Sequence, residues 1–332
     1  MAFAAIARAA PGPDLVSVEA IRARDRTLTK PIGALGRLEE TVEWLGAWQR
    51  RAPPSLDRVE AVVFAGNHGV AARGVSAYPA DVTAQRVLNF HAGGAAINQL
   101  ARSNGVGLTV RALELDRPTG DIAVEDAMSE QDCVAAMAAG ADAVATGFDL
   151  VCLGEMGIGN TTPAAAICQT IFGGDAEQWV GPGTGVDEAG RSRKLEAVTL
   201  AVRRVNALRD HPLEILRRVG GREIAAIAGA IIAARNRRTP VMIDGYVATA
   251  AAAVVGCISP GAIDHCMIGH LSAEPAHASL ARYLRKRPLL GLDMRLGEAS
   301  GAVVAVAILR CALAAHCGMS SFTEAGVSGR LE

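Results

Sequence analysis

Residues whose types and spacing could do chemistry gather in four places along this chain. The densest is Gly154-Glu-Met-Gly-Ile-Gly-Asn-Thr-Thr162, preceded by the apolar run Asp149–Leu153 and followed by the alanine-rich Pro163–Ile171. A short apolar run bounded by turn residues suits a buried parallel strand. Asn160, Thr161 and Thr162 are all competent helix caps, and Pro163 suits a first helical turn. The stretch is therefore a glycine-rich strand-to-helix turn. Such a turn aims backbone N–H groups and the positive end of a helix dipole at one point, which suits a phosphate. Its carboxylate, Glu155, falls at the strand's carboxyl end, where open α/β sheets bind ligands. The spacing fits neither the dinucleotide nor the Walker fingerprint. A plain turn whose glycines serve close packing stays equally open.

The second place is Val180-Gly-Pro-Gly-Thr-Gly185, where Gly183 and its neighbours could wrap an anion with backbone N–H groups, although a simple loop is the plainer reading. The polar segment Asp187–Leu208 after it reads as a helix carrying Lys194. The third is Gly66-Asn-His-Gly-Val70, where His68 is a candidate acid, base or ligand, or a histidine that satisfies loop backbone. The fourth is Gly269–His277, with His270, Glu274 and His277. Its histidine spacing matches no recognised zinc pattern, so no metal is expected.

The elements that must position these groups follow from periodicity. Val59–Ala65, Gly107–Leu113, Asp149–Leu153 and Pro240–Asp244 read as strands, with Asp264–Ile268 a further candidate. Helical patterns fill Asp14–Thr27, Leu35–Gln49, Asp81–Arg102, Val124–Ala145, Ile224–Ala234 and the stretches after Gly245 and Gly301. Gly93-Gly94 implies close packing or a break within the third of these. Strands that run into polar glycine turns and then helices predict a doubly wound parallel α/β sheet with sites at one edge. Pro53-Pro54 is a natural boundary for an N-terminal helical piece.

Composition narrows the function classes. Half of the 332 residues are hydrophobic and a fifth charged, with 36 glycines and a net charge of -1. A substantial core is expected and disorder is not. Aromatics at 4% and the lack of a basic stripe argue against nucleic acid. Seven cysteines, with no Cys-x-x-Cys, read as reduced thiols of a reducing compartment, the cytoplasm. The apolar run within Met1–Pro13 is too short for a signal peptide, and Gly245–Ile263 reads as a buried helix and turn rather than a membrane span.

In combination the motifs resemble the nicotinate-nucleotide–dimethylbenzimidazole phosphoribosyltransferases of the cobalamin pathway, the CobT family. The matching segments are Lys30–Glu39, Asn67–Val70, Tyr78–Gln85, Gly154–Thr162, Gly181–Gly185, Asp244–Ala251, His270–His277, Leu292–Gly301 and Thr323–Val327. They keep the family's order across nearly the whole chain. Departures are Asn67 for aspartate, Ala34 for serine, and Ala299-Ser300 for Gly-Thr. The resemblance implies transfer of ribose 5-phosphate from nicotinate mononucleotide to a nitrogen of 5,6-dimethylbenzimidazole, without cofactor or metal, by a homodimer. It implies a Rossmann-like large domain over residues 56–300 and a smaller helical domain from 1–55 and 301–332. It makes Glu324 the catalytic base, although a tail glutamate alone reads as a solvated charge, with Glu155 the competing base. Gly157, Ile158, Gly159, Asn160, Thr161, Gly183 and Lys194 would hold the 5′-phosphate and ribose, with Asp244 near the ribose hydroxyls or the base. Tyr78, Val82, Gln85 and Leu296 would wall the aromatic base, and Ser272 would meet the nicotinate side. A nucleotide-cofactor oxidoreductase is the first rival, and Gly66-Asn-His-Gly69 after the first strand is a poor dinucleotide turn for it. A non-catalytic carrier or regulator using the same pocket is the second.

Overall fold

The computed structural model describes residues 2–144, 146–183 and 185–328. Five parallel strands form its central sheet: β1 (Val59–Ala65), β2 (Gly107–Ala112), β3 (Leu150–Met156), β4 (Val241–Ile243) and β5 (Cys266–Ile268), in the order β2-β1-β3-β4-β5. Register runs Glu60↔Gly107 to Ala65↔Ala112 on one side of β1 and Val59↔Leu150 to Ala65↔Met156 on the other. The strand order reverses between β1 and β3. Such a switch point opens a crevice outside the strands' carboxyl ends. A two-stranded parallel pair, β6 (His270–Leu271) with β7 (Leu290–Gly291), lies beyond β5.

Period-two alternation along the buried strands feeds two cores. Val62, Phe64, Val151, Leu153, Val241 and Ile243 pack with helices Thr161–Phe172, Arg222–Asn236 and Tyr246–Gly256. Ala61, Val63, Ala65, Leu150, Cys152 and Met242 face the other way, against helix Ser300–Gly318 and Leu45 of helix Arg37–Gln49. Helix Ser300–Gly318 is long and apolar enough to cross a membrane by composition. Here its Ala302, Val303, Ala305, Val306 and Leu309 are buried against the sheet. A third, small cluster joins Ile21, Val42 and Ala312. Arg24 also donates to the carbonyls of His316 and Cys317, each at 2.9 Å, so the two chain ends are tied together.

Several elements depart from their sequence-based bounds for local reasons. The stretch 81–102 forms two helices, Val82–His91 and Ala96–Ser103, broken at Gly93, whose φ is 77°. The helix expected from Val124 begins at Glu130, because Ser129 caps it by accepting from the Asp132 N–H at 3.0 Å. At the opening turn the helix is Thr161–Phe172, and the Asn160 side chain makes no cap.

Close approach of backbone fixes the segment after β7. A Cβ on Gly154 of β3 would sit 2.0 Å from the Ala299 backbone nitrogen. Only glycine lets the Arg295–Ser300 segment lie on β3, where the Glu298 N–H donates to the Glu155 carbonyl at 3.0 Å. Glu298 and Ala299 take φ of 63° and 61°, left-handed conformations that non-glycine residues rarely hold.

Candidate active site

Two adjoining cavities open at the β1/β3 switch point. The inner one, of ≈ 90 Å³, is lined among others by Glu155, Gly157–Thr161, Gly183, Lys194, Ser272 and Glu274. The outer one, of ≈ 470 Å³, is lined by Tyr78, Val82, Arg86, Met156, Ile158, Arg295, Leu296 and Glu298. Met156, Ile158, Arg295 and Leu296 line both. The inner wall carries the polar side chains Glu155, Asn160, Thr161, Lys194, Ser272 and Glu274, whereas the outer wall carries Tyr78, Val82, Met156 and Leu296 as apolar contact area for a flat ring.

Lys194 organises the inner cavity. It is one of the largest fully buried side chains, and its Nζ donates to Thr161 Oγ1 and to the Gly181 carbonyl, both at 2.9 Å. It thereby ties the Gly154–Thr162 turn to the Gly181–Gly183 loop. A Cβ on Gly183 would meet Lys194 Nζ at 3.2 Å and Thr161 Oγ1 at 3.3 Å. Burial pushes the Lys194 ammonium down to about 8, so it stays mostly protonated at neutral pH. Arg295 is a second cation on this wall and donates to the Gly183 carbonyl at 2.9 Å. A buried cation at a helix N-terminus beside glycine backbone suits an anion.

Not every residue expected at the phosphate is free to serve there. The Ile158 N–H donates to Thr83 Oγ1 at 3.1 Å and is already used. The Asn160 amide donates to Glu155 Oε2 and clamps that carboxylate instead of capping the helix. Burial, then the charge of Glu223, pushes the Glu155 carboxyl up to about 8, so it is largely protonated at neutral pH. Asp244 lines neither cavity. Its Oδ1 accepts the Ala302 N–H at 2.9 Å, so the carboxylate caps the start of helix Ser300–Gly318.

In the outer cavity Tyr78, Val82 and Leu296 come together as expected, and Ser272 lines the inner one. Gln85 is exposed and lines neither; Arg86, one turn beyond Val82, takes that face of the helix. Arg86 Nε donates to Glu298 Oε1 at 2.9 Å. Glu298 is 1% exposed, and its Oε2 has no partner among the described residues. Burial raises its carboxyl above the usual range, and the Arg86 hydrogen bond pulls it partly back. The sequence alone assigns Glu298 no role, although it lies inside the matched Leu292–Gly301 segment. The signal was the glycine expected at position 299. Two consecutive left-handed non-glycine residues mark a strained backbone held by its surroundings.

Glu324 is placed elsewhere. It is the third residue of a capping box in which its Oε2 accepts the Ser321 N–H at 2.7 Å and the Ser321 hydroxyl at 2.9 Å. It is exposed, lines neither cavity, and those bonds from Ser321 hold it below the usual carboxylate range. No group of three or more His, Cys, Asp or Glu is arranged to hold a metal ion among the described residues.

Fold and site together define an α/β protein with a pocket that holds Lys194 and Arg295 and opens at the sheet's switch point into one walled by Tyr78, Val82, Met156 and Leu296. A family model described as phosphoribosyltransferase (DBI_PRT) matches residues 10–327, and the chain belongs to that family. It is 62% identical over 324 residues to the nicotinate-nucleotide–dimethylbenzimidazole phosphoribosyltransferase of Methylorubrum extorquens, covering 97% of this chain and 95% of the relative. The protein of the same name in Rhizobium meliloti is 56% identical over 332 residues, covering 99% and 97%. A crystal structure of the enzyme so named from Thermus thermophilus superposes with a TM-score of 0.87 at 40% identity, covering 96% of this chain and all of that one. A second structure from that organism, titled CobT, gives the same TM-score at 42% identity.

Proposed function

We propose that this protein moves the 5-phosphoribosyl group of nicotinate mononucleotide onto a nitrogen of 5,6-dimethylbenzimidazole, giving α-ribazole 5′-phosphate and nicotinate for the cobalamin nucleotide loop. The observation that carries this reading is the pair of joined cavities, one built for an anion and one for a flat apolar ring with a buried carboxylate in its wall. The 5′-phosphate sits against Gly157, Gly159, Thr161 and Gly183, with Lys194 as counter-charge. The ring lies between Tyr78, Val82 and Leu296, and the departing nicotinate lies towards Ser272.

Nicotinate leaves as a neutralised pyridinium, so its departure needs no metal. As one benzimidazole nitrogen attacks the anomeric carbon, the proton on the other becomes acidic and must be taken up. We take Glu298 as a candidate for that step beside Glu324, which the resemblance names and which, lying outside both cavities of its own chain, would have to be supplied by the partner chain of a homodimer. Glu298 is buried, lines the ring cavity and keeps Oε2 free to accept a proton. Glu155, protonated near neutral pH and clamped by Asn160, serves as a positioned donor beside the ribose. The working unit is taken as a cytoplasmic homodimer. Each chain has its large unit over 56–300 and a smaller helical one from 1–55 and 301–332, which the Ile21–Val42–Ala312 cluster supports.

Single-turnover kinetics on two variants beside the wild type test the assignment. Glu298→Gln is expected to slow transfer by about 10²–10⁴-fold with little change in binding. If Glu324 is the base, the same loss appears in Glu324→Gln instead. A normal Glu298→Gln with a dead Glu324→Gln would return the base to the tail.

A further inference from the structure

The inner cavity holds more polar groups than a phosphate can use. Its donors, the glycine turn with Lys194 and Arg295, face an anion. On the same cavity stands Glu274, 5% exposed, with neither Oε1 nor Oε2 hydrogen-bonded among the described residues. The carboxylate is pressed against the Gly181 loop: a Cβ on Gly181 would lie 2.0 Å from Glu274 Oε2 and 3.0 Å from its Cδ. Position 181 therefore has to be glycine for Glu274 to sit there. Burial raises the Glu274 carboxyl, and the charge of Lys194, then the Gly183 N–H, pull it back. Helix Pro275–Tyr283 begins just after it, and Glu274 takes the N-cap position without using its side chain as a cap.

An unpaired buried carboxylate costs free energy unless a ligand supplies donors. The phosphoryl group supplies none. A ribose supplies two, its 2′- and 3′-hydroxyls, and a carboxylate with both oxygens free can accept both. Of the other carboxylates, Glu155 is clamped by Asn160, Glu298 is held through one oxygen by Arg86, and Asp244 lines neither cavity. We propose that Glu274 is the ribose-recognition residue, accepting both hydroxyls of the sugar's cis-diol while Lys194 holds the phosphate. This rests on the phosphoribosyl reading above and names the group that distinguishes ribose from deoxyribose within it. Substrate choice at this locus is then made by the sugar, separately from the ring cavity.

Calorimetric titration with nicotinate mononucleotide and its 2′-deoxy and 3′-deoxy analogues, on wild type and on Glu274→Gln, tests the proposal. Losing either a hydroxyl or the carboxylate should weaken binding by about 10- to 100-fold. Losing both should be no worse than losing one, while ribose-free phenyl phosphate binds both proteins alike. Losses that multiply, or a variant that weakens phenyl phosphate equally, would overturn it. A misfolded variant is recognised by an altered melting temperature, and Glu274→Asp then repeats the cycle, with the same coupling expected. If wild type binds no nucleotide at all, the phosphoribosyl reading falls first and the ribose assignment with it. Binding with multiplying losses removes the ribose assignment alone.

Discussion

Lys194 and Glu298 are opposite examples of how burial tunes a single side chain. Burial lowers the lysine to about 8 while two hydrogen bonds keep its ammonium in place. The cation is present below that value and lost as pH rises through it. Nucleotide affinity should therefore fall above about pH 8, more steeply than affinity for the ring. Because Glu155 also titrates near 8, Lys194→Arg separates the two. If the fall persists unchanged in that variant, Glu155 is its cause. Lys194→Ala should weaken nucleotide binding and spare ring binding. Glu298 is raised by burial and lowered by Arg86. Arg86→Met removes the lowering contact, so the acid limb of kcat/KM should move to higher pH. A limb that stays in place would show that Glu298 is not the titrating base.

At the level of elements, the strand-turn-helix around Gly154–Thr162 was legible in the sequence because its residues act locally: glycines permit the turn and an apolar run makes the strand. Lys194 was placed near it only through the family resemblance, and 33 residues separate it from Thr161. Arg295–Ser300 was legible as a site only through the family resemblance, which names Leu296, because nothing local joins it to β3. That contact depends on Gly154, which reads equally well as a packing glycine. Gly154→Ala should push the segment off β3, costing about 1–3 kcal/mol as an overpacked core does. It should also lower turnover by displacing Glu298. An unchanged melting temperature and turnover would mean that the backbone contact is dispensable. Ala299→Gly relaxes a left-handed residue but removes a buried methyl, effects of about 1 kcal/mol each that oppose one another. Stability should therefore stay within about 1 kcal/mol of wild type, and calorimetry checks it.

Across the whole molecule, the sheet order β2-β1-β3-β4-β5 puts the β1 and β3 turns side by side, and that placement was implied by the repeated strand-turn-helix pattern. Which glutamate the topology would deliver was not implied. The resemblance names Glu324, with Glu155 competing, and helix Ser300–Gly318 separates Glu324, beyond its end, from Glu298, just before its start. Leu45 of the N-terminal helix shares a core with Val63 and Val306, so the helical unit and the sheet should unfold together. Leu45→Ala should lower stability by about 2–5 kcal/mol in a single transition. Two separated transitions would show independent units. The most direct measurement of the proposed transfer is product analysis with nicotinate mononucleotide, with and without 5,6-dimethylbenzimidazole, in the presence of a metal chelator. Nicotinate is expected only with the acceptor, in equal amount with α-ribazole 5′-phosphate and undiminished by the chelator. Release without acceptor, or transfer that the chelator abolishes and zinc restores, would contradict it.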